Sequence, residues 1–375
     1  MSYRKIGDLI QLVDVRNKDL SITHLVGLTI NKKFIPSVAN TIGTDMSNYK
    51  IIRKNQFACS TMQVRRDKKM PVALLKQLDV AIISQAYPVF EVIDEKELLP
   101  DYLMLWFSRS EFDREACFHA VGGVRGSLEW EDFCNMELPI PSIEKQREIV
   151  AQYQAVANTI KVNEQICEKL EATAQTLYKQ WFVDFEYSDS VFLSEYIETN
   201  PSLTLKRGQI ANYTEMSDLS ENQLSIQNPV LREYNGGSRF QNNDTLLARI
   251  TPCLENGKTG FVNYLKTDEI GFGSTEFIVV RPKPSLSPYW VYCLCKDSDF
   301  RSFAISSMVG SSGRQRVHES YLMEYKYPKI NIDKMKEFHE ASFYIFEEVK
   351  TLDLQNQKLT RLQSLLLSRL ATLEE

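Results

Sequence analysis

The second half of this 375-residue chain repeats the first, which constrains the fold more than composition does, because a duplicated sequence builds one supersecondary plan twice. Lys54-Asn55-Gln56-Phe57-Ala58 is similar to Asn242-Asn243-Asp244-Thr245-Leu246, each a polar turn running into a strand. Ser84-Gln85-Ala86-Tyr87-Pro88-Val89 matches Ser274-Thr275-Glu276-Phe277-Ile278-Val279. Ser110-Glu111-Phe112 parallels Ser298-Asp299-Phe300, and Val121-Gly122-Gly123-Val124-Arg125-Gly126 parallels Val309-Gly310-Ser311-Ser312-Gly313-Arg314-Gln315. Leu138-Pro139 pairs with Tyr327-Pro328. The matches keep their order at a nearly constant separation of about 190 residues.

Within each repeat, β-rich runs such as Val80-Ala81-Ile82-Ile83 and Phe277-Ile278-Val279-Val280 accompany helical stretches near Tyr102 to Ala116 and Tyr289 to Ile305, the pattern of an α+β domain. A long helical pattern follows each. The expected division is a first domain at 1–140, a long helix at 141–188, a second, similar domain at 189–329 and a second long helix at 330–375.

In the first helical segment Ile149, Tyr153, Val156, Ile160, Asn163, Cys167, Leu170, Ala174, Leu177 and Trp181 recur at alternating spacings of four and three, a heptad seam. The second repeats it with Phe338, Ser342, Ile345, Val349, Leu352, Asn356, Leu359, Gln363, Leu366, Leu370 and Leu373. Neither contains an internal proline or glycine, so each can run roughly 50 Å. Paired as an antiparallel coiled coil with a pseudo-two-fold arrangement of the domains, the seams set Asn163 against Asn356, Trp181 by Phe338, Ala174 by Ile345, Cys167 by Leu352 and Ile160 by Leu359. The alternatives are helices that each pack on their own domain, or that pair between chains. The aromatic run Tyr178 to Phe185 is either a helix-end packing surface or a platform for stacking bases.

Composition excludes several classes. No stretch offers about 18 uninterrupted apolar residues, so no membrane partner and a cytoplasmic location are expected. Seven cysteines, at positions 59, 117, 134, 167, 253, 293 and 295, lack the paired spacing of a secreted scaffold and read as reduced thiols. Cys293-x-Cys295 has no second pair to complete a metal site. Gly257-Lys258-Thr259 is similar to the end of a phosphate-binding loop, but that loop needs glycine where Pro252 stands. Asn228-Pro229 shares only two residues with an adenine-methyltransferase motif, and no nucleophile elbow or nuclease carboxylate cluster is visible. A net charge of −5 opposes a nucleic-acid partner, yet Lys50, Arg53, Lys54, Arg65, Arg66, Lys68, Lys69 and Lys76 lie close together against the single acid Asp67.

Two related α+β domains, each followed by a long helix behind a proline-containing boundary, resemble the specificity subunit of type I restriction-modification enzymes along essentially the whole chain. The most specific segments are Leu138-Pro139-Ile140-Pro141-Ser142-Ile143-Glu144-Lys145-Gln146, similar to the lead-in to that family's central helix, and Asp244 to Thr259 followed by Gly273-Ser274-Thr275-Glu276-Phe277, similar to a target-recognition domain. The first repeat departs from this, with Ser60-Thr61-Met62-Gln63-Val64-Arg65-Arg66 where the second has Glu255-Asn256-Gly257-Lys258-Thr259. The resemblance implies a non-catalytic reader of double-stranded DNA in which each domain reads half of a split sequence. It also implies two methyltransferase subunits and two restriction subunits as partners, with S-adenosylmethionine, ATP and Mg2+ bound by those partners and no cofactor or metal on this chain.

For such a reader, long basic side chains position phosphates while bidentate Arg, Asn and Gln read base edges. The candidates are Gln63, Arg65, Arg66, Lys68, Lys69 and Arg125 in the first domain, and Arg239, Arg249, Asn256, Lys258, Arg314, Gln315 and Arg316 in the second. Each has the alternative of a solvated surface side chain, and Arg249, which follows an apolar strand run, that of pairing with an acid. Glycines in the two matching loops would let backbone approach DNA closely.

Overall fold

Runs such as Phe57-Ala58-Cys59 and Thr245-Leu246-Leu247-Ala248, buried along their whole length, have the character of interior strands, and each lies inside a four-stranded sheet in the computed structural model of the chain. The structure describes residues 2–37, 43–62, 64–120, 126–184, 189–311 and 313–371. The chain divides into two units, residues 1–159 with 358–375 and residues 160–357. Each holds one repeat and part of both long helices.

In the first unit the strands are β1 (Ser2–Lys5), β2 (Ile10–Val13), β3 (Val26–Leu28), β4 (Phe34–Pro36), β5 (Lys50–Arg53) and β6 (Phe57–Cys59). After the short helix α1 (Val64–Asp67) come β7 (Val72–Leu74), β8 (Val80–Ile83) and β9 (Val89–Val92). Helices α2 (Pro100–Phe107), α3 (Ser110–His119) and α4 (Trp130–Asn135) precede β10 (Glu137–Ile140) and the long helix α5 (Ile143–Phe182). One antiparallel sheet has the order β2-β9-β6-β7. A parallel bridge from Leu25 to Ile82 joins the β3-β4 and β5-β8 pairs, so their order reads β4-β3-β8-β5. Phe57 stacks on Phe90 at 5.0 Å, and Phe107, Phe112 and Phe133 pack around them. Ile149 and Tyr153 of α5, with Leu370 from the chain's last helix, close this core.

The lead-in segment that carries the family resemblance has a physical reason. Tyr102 donates its hydroxyl to the Pro139 carbonyl at 3.0 Å. One turn into α5, the fully buried Gln146 accepts from Leu99 N at 2.8 Å and donates to Glu97 O and Pro141 O at 2.8 and 3.0 Å. Both amide protons are thus used, and a buried amide satisfied this way sets the angle at which α5 leaves the domain.

The second unit repeats this plan strand for strand. Its strands are β11 (Ser190–Phe192), β12 (Ile197–Thr199), β13 (Ile210–Thr214), β14 (Val230–Glu233), β15 (Ser238–Phe240), β16 (Thr245–Ala248), β17 (Thr259–Phe261), β18 (Gly271–Gly273) and β19 (Phe277–Pro282). Helices α6 (Pro288–Lys296), α7 (Ser298–Ser306) and α8 (Glu319–Met323), strand β20 (Lys326–Pro328) and the long helix α9 (Ile332–Arg369) complete it. The sheet orders β12-β19-β16-β17 and β14-β13-β18-β15 match those of the first unit position by position, and β13 runs parallel to β18 as Leu25 does to Ile82. β1 pairs with β10 as β11 pairs with β20. Two similar α+β domains are therefore present, as the internal repeat predicts.

Each helical stretch expected as one is two. Asp297 interrupts the second because its carboxylate accepts from Asp299 N and Phe300 N at 3.0 and 3.2 Å, capping α7. At the equivalent position Arg109 lies 3.9 Å over the Trp106 ring instead. Cys293 and Cys295 are fully buried in α6, where burial pushes both thiols up, and they serve as core residues.

The long helices pack together antiparallel. In the second unit Asn163 donates to Asn356 Oδ1 at 2.9 Å, Asn356 reaches back to Ile160 O at 3.5 Å, and at the other end of this stretch Trp181 meets Phe338 edge-on at 6.0 Å. Cys167, Ala174, Val349 and Leu352 are buried in the same cluster. The heptads do not mark a second buried stripe, Tyr178, Phe182, Met335 and Phe346, by which both helices also dock on the domain. Phe346 inserts among Phe261, Tyr289 and Tyr292. Pairing and docking, alternatives at the level of sequence, occur together, and Tyr178, Trp181 and Phe182 are packing residues.

Both helices also clasp one domain segment through acids. Glu171 accepts from Leu224 N and, at 3.1 Å, from the Tyr292 hydroxyl, while Asp353 accepts from the Ser225 hydroxyl. Burial pushes Glu171 up to about 7 and Asp353 up to about 6, with Lys296 opposing the shift at Glu171 and Glu164 adding to that at Asp353. A carboxyl whose folded value is raised stabilises the fold below its unfolded value, near 4.5 for Glu, and loses that stabilisation as pH rises through the folded value. The protein is therefore expected to lose stability between pH 5 and 8. Glu171→Gln should flatten that loss by about 1–3 kcal/mol, measured by denaturant unfolding at the two pH values; an unchanged pH slope would contradict the assignment.

Candidate nucleic-acid interface

The candidate residues lie on chain segments far apart in sequence, and main-chain hydrogen bonds bring them together. In the first unit Leu128 N donates to Thr61 O at 2.9 Å and Arg65 N to Gly126 O at 3.3 Å, joining the segment after β6 to the glycine loop before α4. In the second, Val317 N donates to Arg249 O at 3.0 Å and Thr251 N to Gln315 O at 3.1 Å, joining the segment after β16 to the glycine loop before α8. The two junctions are equivalent in the repeat. Leu128 and Val317 are both buried and anchor the loop ends in the core.

In the first unit Arg65, Lys68 and Lys69 are exposed and make no ion pair with any described residue. Arg66 is held by its neighbour Asp67, with Nε at 2.6 Å and a second guanidinium nitrogen at 3.2 Å, which keeps the Asp67 carboxyl below its usual range. Gln63 and Arg125 lie outside the described residues. The basic run read from sequence is less uniform in space. Lys50, Lys54 and Lys76 pair with Asp14, Asp79 and Asp101 at 3.9, 3.6 and 2.8 Å, so acids distant in sequence offset them and the free cations gather on and after α1.

In the second unit most candidates have partners within the protein. Arg249 donates to Val317 O at 3.1 Å and pairs with Glu319 at 3.5 Å, the acid alternative noted above. Asn256 donates to Glu221 at 3.0 Å and Lys258 to Met216 O at 3.1 Å, ties that hold the turn before β17. Gln315 exchanges bonds with Thr251 through its main chain. Arg239 is half-buried on β15 and Arg314 is exposed; neither makes an ion pair with a described residue. Arg316 is gripped by both oxygens of Glu276, at 2.6 to 3.0 Å, which holds the Glu276 carboxyl below its ordinary range.

Sequence reasoning passed over Glu276, which lies within a segment matched between the repeats. The only signal was that Glu276 stands where the first repeat has Ala86, an acid at a tight turn between two strands. Its place is fixed by its own backbone, because Glu276 N donates to the Ser274 hydroxyl at 3.1 Å and Glu276 O accepts from Arg249 N at 3.0 Å. Within each domain a cation-bearing segment lies beside the end of a glycine loop, an arrangement suited to holding a polyanion, and among the described residues no cluster of His, Cys, Asp or Glu could hold a metal ion.

Residues 2–172 match the family profile of the type I restriction modification DNA specificity domain. That match spans just under half of the chain, the first domain and most of α5. The chain is 37% identical over 94 residues to the type I restriction enzyme EcoEI specificity subunit of Escherichia coli, a match covering 25% of this chain and 16% of that protein. It is 26% identical over 163 residues to the HindI specificity subunit of Haemophilus influenzae, covering 43% and 35%. The matched stretches thus span about a sixth and about a third of those relatives. Across 100% of this chain, the fold follows the crystal structure of the type I restriction-modification S subunit from M. genitalium, with a TM-score of 0.58 at 14% identity and 96% of that chain covered. No helix among the described residues is long and apolar enough to cross a membrane.

Gly126 has φ +46°, and a Cβ there would fall 2.5 Å from Arg65 Cβ. Gly126→Ala should therefore push α1 off the loop and cost about 1–3 kcal/mol. Unfolding in urea measures this; unaltered stability would mean the contact between α1 and the loop is not maintained.

Proposed function

We propose that the chain is the DNA-specificity subunit of a type I restriction-modification assembly, a non-catalytic reader in the cytoplasm. Each unit reads one half of a split site in double-stranded DNA. The observation that carries this reading is the duplicated main-chain junction, which brings a cation-bearing segment and a glycine loop to the same position in two domains, the first of which matches a profile named for DNA specificity. Arg65, Lys68 and Lys69 supply phosphate contacts in the first unit, together with Gln63, Arg66 and Arg125 from the same segments. Arg314, Arg316 and Arg239 are the main candidates in the second, with Arg249, Asn256, Lys258 and Gln315 supporting the loop shape.

The paired helices act as the spacer between the half-sites and as the seat for two methyltransferase subunits, with two restriction subunits in the full complex. S-adenosylmethionine, ATP and Mg2+ belong to those partners. Tethering two weak readers raises the effective concentration of the second once the first has bound, so affinity for the split site exceeds that of either half.

Coexpression with a cognate methyltransferase subunit, followed by mapping of methylated adenines in genomic DNA, tests this directly. The expected result is a two-part motif with a constant gap; scattered or absent modification counts against the reading. Inserting one heptad into both helices in register should lengthen the gap by about 3 base pairs, from about 10 Å of added helix at 3.4 Å per base pair, and an unaltered gap would refute the spacer role.

A further inference from the structure

The Glu276–Arg316 pair is not required by the fold it sits in. The junction that supports it is present in both repeats, Leu128 N to Thr61 O and Val317 N to Arg249 O, at 2.9 and 3.0 Å. At the positions equivalent to Arg316 and Glu276 the first repeat has Ser127 and Ala86, which cannot form an ion pair. The same loop-to-strand geometry is thus reached without the pair. Its ion pair is also not a packing residue's accommodation, for the arginine side chain is 46% exposed.

What the pair does is immobilise a guanidinium. Three contacts of 2.6 to 3.0 Å run from the Glu276 carboxylate to Nε and one terminal nitrogen of Arg316, leaving the other terminal nitrogen without a hydrogen-bond partner among the described residues. Glu276 is pinned through its own main chain to Ser274 and Arg249, so the guanidinium is referenced to the strand framework rather than to the loop. A long side chain that is ordered before binding loses less entropy on contact and tolerates fewer geometries, which converts affinity into discrimination.

We propose that Glu276 is a positioning residue for base readout, holding Arg316 in one orientation so that the second unit discriminates sharply at one base pair of its half-site. This rests on reading the second unit as a DNA reader. Where Glu276 is lost, Arg316 becomes a mobile cation that still attracts phosphate but no longer selects a base.

The test is selection of bound sequences from a randomised duplex pool by the full chain, for wild type, Glu276→Ala, Glu276→Gln, Glu276→Asp, Arg316→Ala and the Glu276→Ala/Arg316→Ala double variant. Glu276→Ala and Arg316→Ala should each relax preference at the same single position of one half-site by about tenfold. The double variant should match Arg316→Ala, and Glu276→Asp should recover part of the preference. The salt dependence of binding should stay close to wild type in Glu276→Ala, because phosphate contacts are kept.

Melting temperatures read alongside separate a positioning role from a structural one. A uniform loss of binding across sequences in both Glu276→Ala and Glu276→Gln, or a uniform gain from removal of a negative charge, overturns the proposal. So does an Arg316→Ala variant that relaxes one position while Glu276→Ala leaves it intact. If wild type selects no second half-site, the reading of the unit itself fails and this inference falls with it.

Discussion

A main-chain hydrogen bond made twice, from Leu128 N to Thr61 O and from Val317 N to Arg249 O, is the constraint on which both candidate surfaces depend. Because it uses only backbone groups, it does not care which side chains the bonded residues carry. The buried Leu128 and Val317 hold the loop ends in the core, so the neighbouring positions are free to diverge. That is what they have done: Thr61 and Ser127 in one unit stand where Arg249 and Arg316 stand in the other. A fold that localises its loops through backbone bonds can change what it recognises without changing how it folds.

The duplication, the α+β character and the pairing of the long helices were legible in sequence because each leaves a periodic or ordered trace. Heptad spacing reports the seam where Asn163 meets Asn356. It does not report Tyr178, Phe182, Met335 and Phe346, since a second apolar stripe adjoining the first adds residues without a period of its own. The breaks at Arg109 and Asp297 were hidden for a related reason: apolar residues continue on both sides, and only the cap geometry of Asp297 ends one helix and begins the next. Site residues were legible by type and not by state. Which arginines are free depends on acids such as Glu276 and Glu319, which lie 40 and 70 residues away from Arg316 and Arg249 respectively, and no local pattern encodes those pairings.

The helix pair combines specificity and cost in the same stretch. Asn163 against Asn356 gives up apolar burial for a hydrogen bond that only one alignment satisfies, since sliding either helix by a turn would bury an unpaired amide. Glu171 and Asp353 add a second fixed reference, because their partners Leu224 and Ser225 are consecutive residues of the domain. Register within the pair and docking on the domain are thereby set by polar groups, while Phe346 and the aromatic residues around it supply the buried area.

The charge distribution separates the two units in how they would meet a polyanion. A net charge of −5 leaves no general attraction to a phosphate backbone, so binding must rest on cations that the protein does not neutralise itself. In the first unit Arg65, Lys68 and Lys69 remain free of described acids, and their field acts at range and weakens with salt. In the second, Arg239 and Arg314 make no ion pair with a described residue, while Arg249 and Arg316 are each bound to a carboxylate, and a paired cation attracts little at distance yet keeps its donors in a fixed place at contact. For the proposed DNA partner the second unit therefore adds to its free cations two arginines whose donors are held in place for contact, which the first unit lacks apart from Arg66 beside Asp67. Joining the two on a single chain lets either unit, once bound, raise the effective concentration of the other.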